Sequence, residues 1–268
     1  MIDSWRFIDT GPCGAAFNMA LDEAAAISVR EDNSPPTLRL YGWEVPSVSI
    51  GCFQKIGEVD VEHCLRSHIP IVRRPTGGRA ILHGDEITYS FAVKTSTGVF
   101  SKGLFDSYKK ISLALGEALI KTGFDPELKL LKESRGTARS DIQKSPLCFQ
   151  SVSYGEISVN SGKIIGSAQK RWQDGLLQQG SIPLLADREN TSRVFRSSSH
   201  RGSDIPLCGL KDMVPDLNPY KLKEAIRASF EEMFEVSFIM SGPSKEEISL
   251  ARELEAQKYS SRLWTFNR

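Results

Sequence analysis

The sequence predicts an α+β domain with a mixed or mostly antiparallel sheet flanked by helices. Two observations carry this. Helix-period and strand-period segments are interspersed along the chain. The strand-like runs are joined by hairpin signals where a doubly wound fold would have regular βαβ crossovers, most clearly at "VNSGKI" (159–164), where Asn-Ser-Gly separates two alternating runs. With 268 residues, 40% of them hydrophobic and 25% charged, the chain is long enough for one large core plus a small appendage.

The elements follow in order. "FNMALDEAAAISVR" (17–30) is Ala-rich with apolar residues at helical spacing, and the turn residues "EDNSPP" end it. "TLRLYGW" (37–43) and "SVSIGCF" (47–53) are β-rich runs, most simply adjacent strands. "DVEHCLRSH" (60–68) reads as a short helix, followed by the strand "IPIVRR" and, past a Gly-Gly turn, the strand "ITYSFAV" (87–93). A strong helix is expected over 103–122, then a long polar loop over 132–146. The strand runs "LCFQSVS", "GEISVN", "GKIIGSAQKRW" and "LLQQGSIPLL" come next. The tail reads helix (219–235), strand (236–240), charged helix (244–258). The expected division is a catalytic unit over 1–217 and a helical extension over 218–268 packed on it. No repeat or low-complexity segment is present.

A formal net charge of +1 gives no whole-protein field for nucleic acid, so a charged partner must meet a local patch. No apolar run approaches the roughly 18 residues of a membrane span, and "MIDSWRFIDTG" lacks the basic-then-apolar order of a signal peptide. A cytoplasmic protein is expected. Its five cysteines, Cys13, Cys52, Cys64, Cys148 and Cys208, are scattered without a C-x-x-C pair, which argues against a disulfide framework and a zinc site.

The densest chemistry lies in "VRRPTGGRAILHGDEITYSF" (72–91). Arginines suit carboxylate or phosphate, and a Gly-Gly turn lets backbone N–H groups approach a bound group. The same composition also fits a surface hairpin with solvated arginines, and neither standard nucleotide-binding motif is present. His83 has no partner legible in the sequence, so a structural role and a catalytic one both stay open. Cys148 begins a strand directly after the polar loop, and Lys163 follows the hairpin turn. If those segments share a sheet, the ammonium could stabilise a thiolate or a developing oxyanion; otherwise Cys148 is a packed thiol.

The segments "NMALDEA", "PTLRLYGWEVPSVSIGCFQ", "VRRPTGGRAILHGDEITYS", "LCFQ", "GKIIGSAQKR" and "LLQQGSIPL" run in order over about two-thirds of the chain. In these the sequence resembles the lipoate/octanoate protein ligase and transferase superfamily, related in fold to biotin protein ligases. Within it, the chain is most similar to the cysteine-dependent octanoyl-carrier-protein:protein octanoyltransferases. The resemblance implies a biotin/lipoate ligase-like (class II synthetase-like) fold. It maps the family nucleophile onto Cys148 and the family lysine onto Lys163. The acyl pocket maps onto Arg73, Arg74, Thr76, Gly77, Gly78 and His83; on the general logic of oxyanion stabilisation, Lys163 and the backbone N–H groups of Gly166, Ser167 and Ala168 are the candidates for polarising the carbonyl. It implies octanoyl-acyl carrier protein as donor, a glycine cleavage H protein or E2 lipoyl domain as acceptor, and neither metal nor cofactor. Arg73, Arg74, Arg79, Lys170 and Arg171 would form a docking patch for acidic carriers. An ATP-dependent lipoate–protein ligase, an octanoyl amidotransferase between lipoyl-domain proteins, and a non-catalytic acyl-binding protein are the alternatives. Cys52 stands where many relatives carry an aromatic residue, which puts a second thiol near the pocket.

Overall fold

The computed structural model describes residues 3–96, 98–128, 157–160, 162–195 and 207–267. The chain enters through β1 (Asp3–Cys13), crosses one sheet face as α1 (Ala15–Arg30) and returns as β2 (Thr37–Trp43), parallel to β1. Residues 3–13 carry a strand that the sequence reading did not assign. Asp9, Gly11 and Pro12 break the run, and a bulge between Asp9 and Gly11 absorbs them. One βαβ unit therefore stands in a fold expected to lack them.

β3 (Ser47–Ile50) follows, then α2 (Val61–Arg66), β4 (Ile71–Arg73) and β5 (Ile81–His83). These strands form a separate three-stranded sheet in the order β4-β3-β5. The expectation that the runs 37–43 and 47–53 are neighbours is thus corrected. The chain turns at Val45–Pro46 and leaves the main sheet, and β2 pairs instead with β1 and with β6 (Glu86–Lys94).

Beyond β6 come α3 (Leu104–Lys121), β7 (Glu127–Leu128), β8 (Ile157–Val159), β9 (Gly162–Arg171) and β10 (Gly175–Pro183). The expected hairpin at 159–164 is present between β8 and β9. Asn160 there takes φ +49, a left-handed conformation that Asn tolerates better than most residues. α4 (Arg188–Val194), α5 (Leu210–Met213) and α6 (Pro219–Phe234) follow, then β11 (Val236–Met240), α7 (Lys245–Leu254) and α8 (Arg262–Phe266). The large sheet runs β11-β1-β2-β6-β10-β9-β8-β7, parallel over its first three strands and antiparallel beyond, a mixed sheet as expected.

Strand alternation gives the sheet two unlike faces. Leu38, Leu40, Tyr89, Phe91 and Val93 join Trp5 and Phe7 in an apolar core with Ile111 and Leu115 of α3 and Phe230 and Phe234 of α6. The opposite positions of the same strands, Thr37, Arg39, Thr88 and Ser90, are polar yet buried. α1 covers them. Its run of alanines lets it approach β6 and β10 closely, and it supplies Asp22 to answer their polar groups.

The last 50 residues are tied to the first. β11 extends the sheet beside β1, and Ser244 caps α7 through a reciprocal bond pair with Glu247. Glu247 in turn holds Arg6 of β1 at 2.8 and 2.5 Å. α8 packs against the end of β4, where Trp264 Nε1 donates to Arg73 O at 2.8 Å. No described helix is long and apolar enough to cross a membrane.

Candidate active site

A cavity opens between the α1-facing side of the large sheet and the small sheet. Met19 from α1, Tyr41 and Trp43 from β2, and Ile81 from β5 give it apolar walls. Thr88, Gln179, Gly180 and Ser181 come from the central strands, and Gly166, Ser167 and Ala168 from β9. Ser49, Arg74 and His83 complete the wall on the small-sheet side. The cavity is largely apolar with a few aimed polar groups, the usual composition of a small-molecule pocket.

Behind this wall lies a buried network. Asp22 accepts from Arg39 Nη1 at 2.7 Å, Tyr41 Oη at 2.8 Å, Ser90 Oγ at 2.5 Å and Gln179 Nε2 at 2.7 Å. Gln179 Oε1 accepts from Thr76 Oγ1 at 2.8 Å, which ties the Pro75–Gly78 turn to the sheet. Asp22 and Arg39 are at most 1% exposed, and a charge pair buried that deeply is tolerable only because its remaining lone pairs and protons are also satisfied. Burial and the neighbouring Asp22 carboxylate push the Tyr41 hydroxyl well above the ordinary tyrosine range. Burial likewise pushes Tyr89 up to about 12. Both stay protonated donors.

A second chain of bonds runs from Arg74 to Glu86. Arg74 Nη1 donates to Ser49 Oγ at 3.0 Å, and Ser49 Oγ lies 2.7 Å from His83 Nε2. His83 Nδ1 lies 2.9 Å from Glu86 Oε1. Burial would raise the Glu86 carboxyl, but the charge and hydrogen bond of His83, with the hydroxyls of Thr88 and Ser181, outweigh it and hold the group below its ordinary value. An ionised Glu86 accepts from the Nδ1 side of His83, and Ser49 Oγ bonds the ring's other nitrogen, Nε2. Trp43 stacks on the imidazole with centroids 3.9 Å apart and planes 14° from parallel. His83 is thus a wall residue held on three sides, with a partner three positions on in sequence.

The Gly77–Gly78 turn is shaped by contact as much as by sequence. Gly78 takes φ +83, and a Cβ on Gly51 would stand 2.0 Å from Gly78 O, so the turn lies directly on the end of β3. Arg74 closes it by donating to Gly77 O at 2.8 Å and Arg79 O at 2.6 Å. Arg73 points the other way. Its guanidinium donates to Gly51 O and Gln54 O at 2.8 Å each and to Thr265 O at 2.9 Å, so it staples α8 to the loop.

Of the residues singled out from sequence, Arg74, His83, Gly166, Ser167 and Ala168 line the cavity. Thr76 sits behind it, bonded to Gln179, while Gly77 and Arg73 line a second, outer cleft. Lys163 is 2% exposed, opposite Ser158 in the β8–β9 pair and one turn of strand from Gly166. Cys148 and the loop 132–146 lie outside the described residues. β8 ends its pairing at Ile165, so the far edge of Gly166–Ala168 has no strand beside it among the described residues. Tyr108 Oη bonds Ser167 O there.

Among the other cysteines, Cys13, Cys52 and Cys208 are half-buried. Burial, with Asp60 adding to it, pushes the Cys64 thiol up to about 11, which leaves it a packing group. Trp43, Ser49, Thr88, Gln179 and Ser181 were missed as pocket residues. For Thr88, Gln179 and Ser181 the signal is the α1-side polar positions of β6 and β10, too polar for an ordinary core face; Trp43 and Ser49 had none.

Comparison with known proteins agrees with this fold. Residues 14–238 match the lipoyl protein ligase A/B catalytic domain family. The chain is 37% identical to the octanoyltransferase LipM of Carboxydothermus hydrogenoformans, covering 99% of each chain. It is 38% identical to the octanoyltransferase LipM of Kyrpidia tusciae, covering all of both. Its fold is that of the bipartite lipoate protein ligase from Thermoplasma acidophilum, solved with its E2 lipoyl domain, at a TM-score of 0.80 and 23% identity over 98% of this chain and 96% of that one. A family match over most of the length, and relatives above 35% identity end to end, make this chain a member of the lipoyl protein ligase A/B catalytic domain family.

Proposed function

We propose that this acyltransferase moves an octanoyl group from octanoyl-acyl carrier protein to a lysine of a lipoyl-accepting protein, through a thioester on Cys148. The observation that carries the reading is the narrow apolar cavity beside the Gly77–Gly78 turn and the open edge of Gly166–Ala168, with buried Lys163 on the same strand. Such a cavity takes an extended acyl chain, and the backbone at its wall gives N–H donors for the carbonyl oxygen.

The Cys148 thiolate adds to the donor's carbonyl. The carbon–sulfur bond to the carrier breaks, and the carrier's thiolate leaves and takes up a proton. A neutral lysine amine of the acceptor then adds to the enzyme thioester, Cys148 leaves as thiolate, and the nitrogen loses a proton as the amide forms. The first exchange is near neutral; the second makes the more stable amide. Lys163 and the backbone N–H groups of the Gly166–Ala168 stretch that face away from β10 stabilise the oxyanion in both steps. The acceptor is an H protein or an E2 lipoyl domain.

The test supplies enzyme, octanoyl-acyl carrier protein and unmodified acceptor domain, without ATP, and reads the acceptor's mass. The expected result is one amide-linked octanoyl group per acceptor, with the rate cut about 10²–10³-fold in Lys163→Met. Modification that requires ATP and free octanoate or lipoate would make this a ligase.

A further inference from the structure

The wall that carries Gly166–Ala168 has a back as well as a front. Strand pairing places Tyr89 of β6, Gly180 of β10 and Ser167 of β9 in one row across three strands. Neighbouring strands lie about 4.8 Å apart, so the backbones at Tyr89 and Ser167 are roughly 10 Å from each other. The tyrosine ring spans that gap by lying over Gly180. A Cβ on Gly180 would stand 2.2 Å from Tyr89 Cε1 and 2.8 Å from Ser167 Oγ, so the crossing needs a glycine there. Tyr89 Oη and Ser167 Oγ are 2.7 Å apart.

This row lies on the α3 side of the sheet, behind the cavity, beside the apolar core that includes Phe91, Leu115 and Ile165. A polar track crosses that side and ends at Ser167. Ser107 Oγ of α3 lies 3.1 Å from Gln169 Oε1, Gln169 Nε2 donates to Gln178 Oε1 at 2.9 Å, and Gln178 Nε2 donates to Tyr89 Oη at 2.9 Å. Tyr108, the next residue of α3, donates its hydroxyl to Ser167 O. Gln178 and Tyr89 are fully buried. Apolar side chains would fill the same space without the cost of desolvating polar groups. What the track adds is direction, because a paired network holds its members to hydrogen-bond geometry. Ser167, gripped by side chain and by carbonyl, is where the track meets the cavity wall.

We propose that Tyr89 and Tyr108 are positioning residues for acyl transfer: through Ser167 they hold the β9 backbone where the acyl carbonyl is polarised. This rests on the thioester reading above and names what fixes its oxyanion donors. Neither tyrosine lines the cavity, so both act through Ser167. An oxyanion donor that shifts slightly loses much of its worth in the transition state. Ground-state binding, spread along the acyl chain, is kept.

The test follows single turnovers by mass. It reads the rate constant for octanoyl transfer from the carrier to the enzyme, and that for transfer from octanoyl-enzyme to the acceptor domain. These constants do not depend on the fraction of enzyme that folds, so a merely structural role would leave them unchanged. Tyr89→Phe, Tyr108→Phe and Ser167→Ala are each expected to lower both constants about tenfold at saturation, with the half-saturating donor concentration within about twofold of wild type. Tyr89→Phe combined with Ser167→Ala should cost no more than the worse of the two alone, because both remove the same bond. The proposal is overturned if both constants stay at wild-type values, if only the half-saturating concentration moves, or if the two losses multiply. A wild type that forms no octanoyl-enzyme would remove the thioester reading itself, and the proposal with it.

Discussion

At the scale of single residues, the site depends on polar groups that are buried and fully paired. Glu86 shows this most clearly. Its carboxylate accepts from His83, Trp43 at 3.2 Å, Thr88 and Ser181, and through His83 and Ser49 it steadies Arg74 in the cavity wall. Because the folded carboxyl is held below its ordinary value of 4.5, it adds stability that is present above that pH and lost as pH falls through the depressed value. Glu86→Gln should therefore be less stable than wild type at pH 7. The gap should narrow as urea midpoints are followed from pH 7 to below 4.5; a constant gap across that range would deny Glu86 its depressed titration. His83 was legible as a residue of interest but not in its role. Its partners Ser49 and Glu86 come from two different sheets, and no local spacing brings Ser49 to it.

Elements explain why the motif residues divide into different tasks. The run Val72–Gly78 looks uniform in sequence, a positive segment with a flexible turn, and the resemblance assigns both arginines to the pocket. Strand geometry separates them: β4 ends at Arg73, whose side chain goes to the α8 carbonyls, while Arg74 turns inward to Ser49 and the Gly77 carbonyl. The turn lies on β3 at Gly51, where a Cβ has no room and the obstruction is backbone. Gly51→Ala should displace the Gly77–Gly78 turn, costing about 1–3 kcal/mol of stability as overpacking does and lowering acyl transfer at least as steeply. Urea unfolding with transfer assays on the same preparation checks this, and a stable variant with full activity would show that the turn's position is not critical. Strand alternation made β6, β9 and β10 readable. Their second face was harder, because Thr88, Ser90, Gln179 and Ser181 look solvent-facing until α1 is laid over them.

On the scale of the whole molecule, the fold closes by joining its two ends, and that is the part local sequence hides. β1 is parallel to both β2 and β11, partners that begin 34 and 233 residues further on, as the pairs Asp3↔Val236 and Arg6↔Thr37 record. Such long-range pairing leaves no turn signal. Arg6–Glu247 and Trp264–Arg73 lock the C-terminal helices over α1 and the outer cleft, so residues beyond 218 help shape the surface beside the cavity. The α+β class and the hairpin were readable from periodicity and turn chemistry, and family resemblance named Arg74 and His83 but not the cavity's walls from α1, β2 and β10. The split into two sheets and the network under α1 were not, since both depend on contacts distant in sequence. Everything proposed for the chemistry turns on whether Cys148 carries the acyl group, and the direct measurement is the intact mass of the enzyme after exposure to octanoyl-acyl carrier protein without ATP. The expected result is one octanoyl adduct on wild type, released by hydroxylamine and missing from Cys148→Ala. An adduct that survives in Cys148→Ala, or none on wild type while ATP and free octanoate modify an acceptor, would contradict it.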